Sequence, residues 1–175
     1  MSSQGGRKKG EVKLAVFVAL GSNQGDSRQI IRQAMKRLRD LSTRPLLKSS
    51  LWQTKPVDCP PGSPMFVNAV VGLVASKGET PEALLVKLQA IEKEFGRPAK
   101  KILNEPRLLD LDLIAFGTQT RGTDRLTLPH PRAHQRHFVL QPLCEIAPEL
   151  ILPKQSSSVS ELLVELRSDE TVSRL

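Results

Sequence analysis

Short apolar runs alternate along this chain with longer stretches in which apolar residues recur every three or four positions. The short runs, rich in Val, Leu and Phe, are typical of strands buried in a sheet. The first run ends at Gly21, and the second is followed by a loop over residues 53–64 in which prolines and a glycine forbid regular structure. The runs predict four strands, at residues 13–20, 46–52, 66–75 and 108–116.

The stretches with helical spacing predict two long helices, each with an apolar stripe on one face. The first helix follows Asp26 or Ser27, either of which can cap its amino end. The second is opened by Thr80 as a cap and Pro81 at the first helical position, and Gly96 ends it. Further along, we expect a helix from about residue 134 and a short helix over 160–165. Pro142 should kink or end the former, because proline lacks an amide hydrogen.

The order of elements is strand, helix, strand, strand, helix, strand, followed by a C-terminal extension. This order predicts an α+β fold of the ferredoxin-like, split β-α-β type. An antiparallel sheet would then carry helices packed on one face and leave its other face free for a site. The chain divides into a flexible N-terminal arm (1–12), a single domain (13–168) and a C-terminal tail (169–175).

Composition and charge limit the classes of protein. The chain has 175 residues with 26 basic and 18 acidic side chains, a formal charge of +8. No apolar run approaches the ~18 residues of a membrane span, so we do not expect a membrane protein. The positive charge predicts an anionic partner, which could be nucleic acid, an acidic membrane surface or a phosphorylated small molecule. It is concentrated at residues 28–48, where the outer face of a helix is best explained by solvation, and at 97–136.

The features that bear on cellular location favour the cytoplasm. Cys59 and Cys144 are far apart in the sequence, and neither belongs to a CxxC pair. We therefore expect neither a disulfide framework nor a zinc site. The basic N-terminal residues precede an apolar stretch that is too short for a signal peptide.

The most informative string runs from Pro106-Arg107 to Asp110-Leu111-Asp112. Alternate side chains of a strand share a face, so the two aspartates should point away from the leucines, with Cα atoms roughly 6.5 Å apart. A divalent cation such as Mg²⁺, bound together with phosphate oxygens, would offset their repulsion, and Arg107 adds a planar phosphate donor. Geometry alone equally allows a solvated strand face, although aspartate is a poor strand former.

A second segment, residues 127–138, contains three histidines and two arginines. Two prolines within it argue against a helix that would bring the three histidines together, so a zinc site is disfavoured. Phosphate contacts by some of these side chains are the favoured interpretation, and a polar surface loop is the alternative.

Two further segments are less specific. The loop from Gly21 to Asp26 has two glycines and no Gly-Lys-Ser/Thr sequence, so it indicates only a tight strand-to-helix turn. Phe66 and Asn68 share a strand face, where the amide could bond the edge of a heterocycle and the ring could pack on it. From the residues alone, a core phenylalanine beside a buried asparagine is the simpler interpretation.

In combination, these strings resemble the 6-hydroxymethyl-7,8-dihydropterin pyrophosphokinase family of folate biosynthesis. The resemblance covers about residues 13–153, and eight blocks occur in the order and spacing of the family. The blocks are Ala19-Leu20-Gly21-Ser22-Asn23, Gln53-Thr54-Lys55-Pro56, Phe66-Val67-Asn68-Ala69, Gly96-Arg97, Pro106-Arg107-x-x-Asp110-x-Asp112, Leu126-Thr127-x-Pro129-His130-Pro131, Arg136-x-Phe138-Val139-Leu140-x-Pro142-Leu143 and Glu145-Ile146-Ala147-Pro148.

The resemblance implies transfer of a whole pyrophosphate from ATP to the hydroxymethyl group of the pterin, with release of AMP. The pterin hydroxyl would attack the β-phosphorus, and residues 13–168 would form the catalytic domain. Asp110 and Asp112 match the ligands of two Mg²⁺ ions, which would neutralise charge as the bond to AMP breaks. Arg97 and Arg107 match arginines that would stabilise transition-state charge.

The resemblance also assigns residues to the two substrates. Loops 53–64 and 97–106 would close over them and exclude water. Positions matching the ATP site are Gln89, Glu92, Arg125, Thr127, His130 and Arg136. Positions matching the pterin pocket are Thr54, Pro56, Phe66, Asn68 and Phe138, with Phe138 stacked on the ring.

Two departures from the family pattern concern the loops. Leu103-Asn104-Glu105 replaces an aromatic residue and further arginines, and we expect Glu105 to point away from ATP. Lys100 and its neighbour Lys101 would supply the missing positive charge near ATP. The 53–64 loop is also longer, with Lys55 where proline is frequent.

Three alternatives remain beside this interpretation. A ferredoxin-like nucleic-acid-binding module would suit the charge, but two carboxylates on its strand would repel phosphates, and tyrosine is absent. A kinase of another small alcohol has no Walker or kinase string in its support. An inactive relative would have no need of the aspartates or Arg107. We expect a monomer whose partners are ATP and the pterin, with neither nucleic acid nor membrane.

Overall fold

The structure is a computed structural model that describes residues 15–96 and 107–175. Within these ranges, none of the helices combines the length and hydrophobicity needed to cross a membrane. The strands are β1 (Ala15–Ser22), β2 (Leu47–Lys48), β3 (Trp52–Thr54), β4 (Phe66–Val74), β5 (Asp110–Phe116), β6 (Arg121–Gly122), β7 (Thr127–Leu128) and β8 (Val172–Arg174). The helices are α1 (Ser27–Arg39), α2 (Pro81–Glu94), α3 (His137–Ile146) and α4 (Val159–Glu165), with a 3-10 turn at Ala133–Gln135.

The main sheet is built around β1 and β4. Its order is β5-β1-β4-β3-β8, with β2 also paired to β4, and all of these described pairings are antiparallel. β6 and β7 form a separate two-stranded hairpin. The predicted mixture of helices with an antiparallel sheet is confirmed.

The second predicted strand, 46–52, is divided into β2 and β3. At the break Ser49 still bonds β4, because its amide donates to the Val70 carbonyl (3.0 Å) and its Oγ accepts from the Val70 amide (2.9 Å). The amide of Ser50 instead donates to Oε2 of Glu145 on α3 (2.8 Å). Between β2 and β3 the register against β4 shifts by one residue, from Lys48 opposite Val71 to Trp52 opposite Asn68, so a bulge interrupts the strand.

The main sheet is covered on both faces. Leu38 of α1 and Leu88 of α2 are fully buried in the cluster that contains Val18 of β1. Leu140 of α3 and Val159 of α4 are buried in the cluster on the opposite face. The expectation that helices pack on one face holds for α1 and α2 only. The other face is not left free, because the C-terminal extension folds back over it.

Both long helices begin at the predicted caps. The carboxylate of Asp26 accepts a hydrogen bond from the Gln29 amide (3.1 Å), which selects Asp26 over Ser27. Oγ1 of Thr80 accepts from the Ala83 amide (3.1 Å), and Pro81 occupies the first turn. These side chains satisfy amides that have no partner inside the helix.

The third helix differs from the prediction. It begins at His137 rather than near residue 134, and it continues through Pro142 to Ile146. Proline removes one hydrogen bond of the helix. Pro142 is nevertheless buried, and the next residue, Leu143, belongs to the apolar cluster between α3, α4 and the sheet.

The C-terminal residues 169–175, predicted as a tail, contain the edge strand β8. Val172 lies opposite Thr54 of β3, and the Leu175 amide donates to the Leu51 carbonyl (2.9 Å). Three residues are too few to show a periodic pattern, so hydrophobic spacing cannot reveal this strand. Its pairing brings the end of the chain next to β3.

Candidate active site

A cavity of about 810 Å³ lies at the end of the sheet where β1 finishes and β4 and β5 begin. Helices α2 and α3, the loop after β3, the segment between β7 and α3 and the segment before β8 supply other walls. Eleven residues assigned from the family resemblance line it: Thr54, Phe66, Asn68, Gln89, Glu92, Arg107, Asp110, Asp112, His130, Arg136 and Phe138.

Small residues of β1 form the floor of this cavity. Ala19 lies opposite Asp112, and Gly21 lies between Asn68 on β4 and Asp110 on β5. A Cβ atom added to Gly21 would come within 3.3 Å of Oδ1 of Asn68. The missing side chain therefore leaves room for the polar groups of the two neighbouring strands.

The two aspartates of β5 point as the alternation predicts. Leu109 and Leu111 are buried in the core, whereas Asp110 and Asp112 line the cavity. Nη1 of Arg107 contacts Oδ2 of Asp110 at 2.8 Å, and the two side chains are only 18% and 24% exposed. A partly buried ion pair of this kind offsets the repulsion between the neighbouring carboxylates.

Asn23, in the loop after β1, fixes the backbone of Arg107. Its side-chain Oδ1 accepts a hydrogen bond from the backbone amide of Arg107 (2.9 Å). The backbone amide of Asn23 in turn donates to the Arg107 carbonyl (3.2 Å). Nδ2 of Asn23 is buried and has no hydrogen-bond partner within the described ranges. The loop that the sequence indicates only as a tight turn therefore also positions Arg107.

The carboxylates can be tested against the needs of a metal ion. Across residues 15–96 and 107–175, no group of three or more His, Cys, Asp or Glu side chains is arranged to hold one. Mg²⁺, however, commonly binds through one or two carboxylates and completes its octahedral shell with water and substrate phosphates. Asp110 and Asp112 fit that second arrangement, in which the nucleotide is part of the site.

Glu92 of α2 is buried beside β5 and is 5% exposed. Its Oε1 accepts a 2.7 Å hydrogen bond from the Leu111 amide, the residue between Asp110 and Asp112. Gln89, three residues earlier on the same face of α2, also lines the cavity. Glu92 thus ties α2 to β5 in addition to facing the cavity.

His130 lines the cavity beside two arginines. The pKa of its imidazole is lowered from 6.5 to about 4, mainly by burial. The positive charges of Arg136 and Arg132 lower this pKa further, whereas the carboxylate of Asp110 raises it. Nδ1 accepts a hydrogen bond from the Arg132 amide (3.2 Å), which assigns the ring proton to Nε2. His130 is therefore a neutral ring whose Nε2 can donate to a ligand.

Thr54 and Asn68 form a buried polar pair on the other side of the cavity. Nδ2 of Asn68 donates to Oγ1 of Thr54 at 2.7 Å, and the side chains come from paired strands, β4 and β3. Phe66, on the same face of β4 as Asn68, is half-buried and lines the cavity. The arrangement presents amide and hydroxyl groups next to an aromatic ring.

Arg136 and Phe138 come from the start of α3. The guanidinium carbon of Arg136 lies 5.4 Å from the centre of the Phe138 ring, a cation–π contact. The Phe138 amide donates to Oε2 of Glu170 (3.3 Å), from the segment before β8. The start of α3 therefore brings a positive charge, Arg136, next to an aromatic ring, Phe138, in the wall of the cavity.

Five residues of the sequence-based assignment are not brought into the cavity by the described structure. Pro56, Arg125 and Thr127 are not among the residues that line it. Arg97 and Lys100 lie outside the described residues, so their predicted roles are unaffected by the structure.

Several cavity residues were missed in the sequence. Arg132 belongs to the His- and Arg-rich segment, so that pattern could have identified it. Glu170 lies beyond the predicted domain and forms no motif. The lining residues without a sequence-based assignment include Lys55, Asp58, Cys59, Leu85, Arg132, Gln135 and Glu170.

Comparison with known proteins places these features in one family. The model of the family described as 7,8-dihydro-6-hydroxymethylpterin-pyrophosphokinase (HPPK) matches residues 17–148. The chain is 42% identical to the 2-amino-4-hydroxy-6-hydroxymethyldihydropteridine pyrophosphokinase of Pseudomonas aeruginosa over 139 residues, which are 79% of this chain and 83% of that protein. It is 38% identical to the enzyme of the same name from Haemophilus influenzae, covering 86% of this chain and 91% of that one.

Longer proteins also match over this domain. The chain is 38% identical to the folic acid synthesis protein fol1 of Pneumocystis carinii over 83% of its own length, but spans only 19% of that protein. The crystal structure of wild-type Plasmodium falciparum HPPK-DHPS has the same fold, with a TM-score of 0.68 at 12% identity, over 87% of this chain and 44% of that one. The chain belongs to the 7,8-dihydro-6-hydroxymethylpterin-pyrophosphokinase family.

Proposed function

We propose that the cavity at the end of β1 is the site where this pyrophosphokinase transfers pyrophosphate from ATP to 6-hydroxymethyl-7,8-dihydropterin in folate synthesis. One observation carries the proposal. A single cavity holds the Arg107–Asp110 ion pair with Asp112 on one side and the buried Asn68–Thr54 pair on the other. The first side suits a metal-bound phosphate chain, and the second suits the polar edge of a heterocycle.

The pterin half of the site is formed by Thr54, Phe66, Asn68 and Phe138. Asn68 already donates one amide hydrogen to Thr54, so its remaining donor and its carbonyl oxygen are oriented for the edge of the ring. Phe66 and Phe138 supply apolar faces on which a flat heterocycle stacks. Pro56, in the loop after β3, does not line the cavity and is retained as a pterin contact on the strength of the family resemblance alone.

The nucleotide half is formed by Gln89 and Glu92 of α2 and by side chains of the segment between β7 and α3, among them His130 and Arg136. Neutral His130 would donate from Nε2 to a phosphate oxygen, and Arg136 would add a positive charge beside it. Arg125 and Thr127 are retained as nucleotide contacts on the strength of the family resemblance, and Lys100 is retained as a replacement for positive charge that the family pattern has in this loop and this chain lacks.

Asp110 and Asp112 would hold Mg²⁺, and two ions fit the chemistry of this family. When bound, the metal ions neutralise the phosphate charge that grows as the bond to AMP breaks. Arg107, paired with Asp110, is near enough to exchange part of that contact for a phosphate oxygen. Arg97, outside the described residues, is the second arginine assigned to this role.

Catalysis would consist of positioning and electrostatic stabilisation, with no covalent intermediate on the protein. The substrate hydroxyl attacks the β-phosphorus of ATP and AMP leaves, so the pterin gains a diphosphate. We also infer that the sheet is ferredoxin-like with β8 as an added edge strand. Residues 13–168, extended by the edge strand β8 and the residues just before it, would form one catalytic domain of a cytoplasmic monomer that binds neither nucleic acid nor membrane.

The test is to mix the protein with ATP, Mg²⁺ and hydroxymethyldihydropterin and identify the nucleotide product by chromatography. We expect AMP, formed in step with the pterin diphosphate and only when the pterin is present. ADP as the product, or turnover that does not depend on the pterin, would overturn the proposal. Salt-sensitive binding of generic RNA at micromolar concentration, without AMP formation, would instead support the nucleic-acid-binding alternative.

A further inference from the structure

Helix α3 begins at the cavity without a capping side chain of its own. Arg136 occupies the cap position and makes no side-chain hydrogen bond to the first turn. The amide of Phe138, in that first turn, donates instead to Oε2 of Glu170 (3.3 Å), 32 residues later in the chain. Glu170 therefore satisfies an amide that the helix leaves without an internal partner, as a local capping residue would.

Glu170 is held in place from both sides of the sequence. Its own amide donates to Oγ of Ser168 (3.1 Å), which closes a turn before it. Two residues after it, Val172 begins β8 and pairs with Thr54 at the end of β3. Glu170 thus lies between a turn and a paired strand, and its side chain spans the distance from β8 to α3.

The hydrogen bond between Glu170 and the Phe138 amide joins two residues that line the pterin half of the cavity. Glu170 and Phe138 line the cavity, and so does Thr54, the partner of Val172. The guanidinium of Arg136 contacts the Phe138 ring, but Arg136 itself precedes the helix and is held by the 3-10 turn, where its amide donates to the Ala133 carbonyl (3.3 Å). Residues 149–175 lie outside the family match, which ends at residue 148.

We propose that Glu170 is a positioning residue for Phe138. The segment before β8 thus contributes to pterin binding by holding the Phe138 ring in place. The proposal rests on the proposed function of the cavity. Glu170 acts by accepting the hydrogen bond of the Phe138 amide, so the property it needs is an acceptor oxygen at this distance and not a negative charge.

The test compares three variants of the full chain. Glu170→Ala removes the acceptor, Glu170→Gln keeps a carbonyl oxygen in the same place, and Asp169→Ala removes the neighbouring exposed charge. We expect Glu170→Ala to raise the KM for the pterin roughly 3- to 30-fold, the range produced by loss of one capping side chain. The KM for ATP should change less than about twofold. Glu170→Gln and Asp169→Ala should remain within about twofold of the natural chain in both constants.

The outcomes separate this proposal from its alternatives. Equal rises in both KM values, or a Glu170→Gln variant as impaired as Glu170→Ala, would overturn the positioning role. If Glu170→Ala is too unstable to assay, Glu170→Asp takes its place: it keeps the charge but withdraws the acceptor oxygen by one methylene, so its KM for the pterin should rise while that of Glu170→Gln stays near the natural value. A natural chain that forms no AMP contradicts the proposed function itself, whereas an active natural chain with an unaffected Glu170→Ala contradicts only the role of Glu170.

Discussion

The Leu111 amide donates a 2.7 Å hydrogen bond to the buried carboxylate of Glu92, which joins α2 to β5 at the residue between Asp110 and Asp112. A buried acceptor of this kind stabilises the fold only while its partner is present. Asp110 and Asp112 are the residues on either side of Leu111, so their spacing is supported from beneath by α2. The position of the proposed metal ligands therefore depends on a residue of a different element.

The first prediction concerns this support. Glu92→Ala leaves the Leu111 amide buried without its acceptor and should lower the free energy of unfolding by about 1–3 kcal/mol. Glu92→Gln keeps an acceptor oxygen and should lower it by less. Chemical unfolding followed by circular dichroism measures both values. Glu94→Ala, on an exposed pair with Arg37, is the matched control on the same helix and should have the smallest effect. Equal losses in all three variants would contradict the role of the buried hydrogen bond.

The second prediction concerns the two aspartates themselves. Asp110→Asn and Asp112→Asn keep the shape of the side chain and remove the charge that a metal ion needs. Each should lower kcat by at least about a hundredfold at saturating Mg²⁺, since metal-ion stabilisation of phosphoryl transfer is worth several kcal/mol. The thermal midpoint should change little. Asp124→Asn, on the exposed turn between β6 and β7, is the control, and near-normal rates in either active-site variant would exclude the metal-binding role.

The third prediction concerns the protonation of His130. A titration of its ring followed by NMR in metal-free protein should give a midpoint near 4, because burial and the neighbouring arginines disfavour the cation. In the unfolded chain the His130 ring takes up a proton as the pH falls below about 6.5. The contribution of His130 to folding is therefore complete above that pH and is lost as the pH falls from about 6.5 towards 4.

Arg132 supplies a specific check on that pKa. Arg132→Ala removes one of the two positive charges that lower it, so the midpoint should move upward, toward the ordinary value for histidine. Arg44→Ala removes the same kind of charge from an exposed residue that is far from His130 in the sequence. This control variant should leave the titration midpoint of His130 unchanged. A midpoint near 6.5 in the natural chain would mean that His130 is not held neutral by its surroundings.

The parts of the site that could be predicted from the sequence are those set by local geometry. The period of two along β5 separates Asp110 and Asp112 from the leucines, and this holds whatever the strand packs against. The caps at Asp26 and Thr80 are equally local, since each side chain bonds an amide three residues away.

The parts that could not be predicted depend on distant pairing. Glu170 reaches α3 only because β8 pairs with β3, and a three-residue strand leaves no pattern in the sequence. At the break between β2 and β3, the partner of the Ser50 amide is Glu145, 95 residues further along the chain. The second face of the sheet was expected to be free because the split β-α-β pattern ends before α3 and α4. In each case the feature depends on an element that is distant in the sequence, and only the tertiary fold brings that element into place.

The fourth prediction concerns the floor of the pterin half. Gly21→Ala places a methyl group 3.3 Å from Oδ1 of Asn68, so the amide must move by a few tenths of an ångström or lose its orientation. Because Asn68 is fixed by its 2.7 Å bond to Thr54, both polar groups of this half are disturbed together. The KM for the pterin should rise about 3- to 10-fold, the equivalent of roughly 1 kcal/mol of one neutral hydrogen bond, while the KM for ATP changes little.

Gly122→Ala is the matched control for this change. Gly122 lies in β6, where an added methyl group meets nothing within 4 Å, so both KM values should stay at their original levels. Steady-state kinetics with each substrate varied in turn separates the two constants. A Gly21→Ala variant with an unchanged KM for the pterin would show that Asn68 does not contact it, since the methyl group cannot be accommodated without displacing that side chain. A parallel rise in the KM for ATP would instead mean that the floor of β1 serves both halves of the cavity, through Asp110 on the opposite side of Gly21.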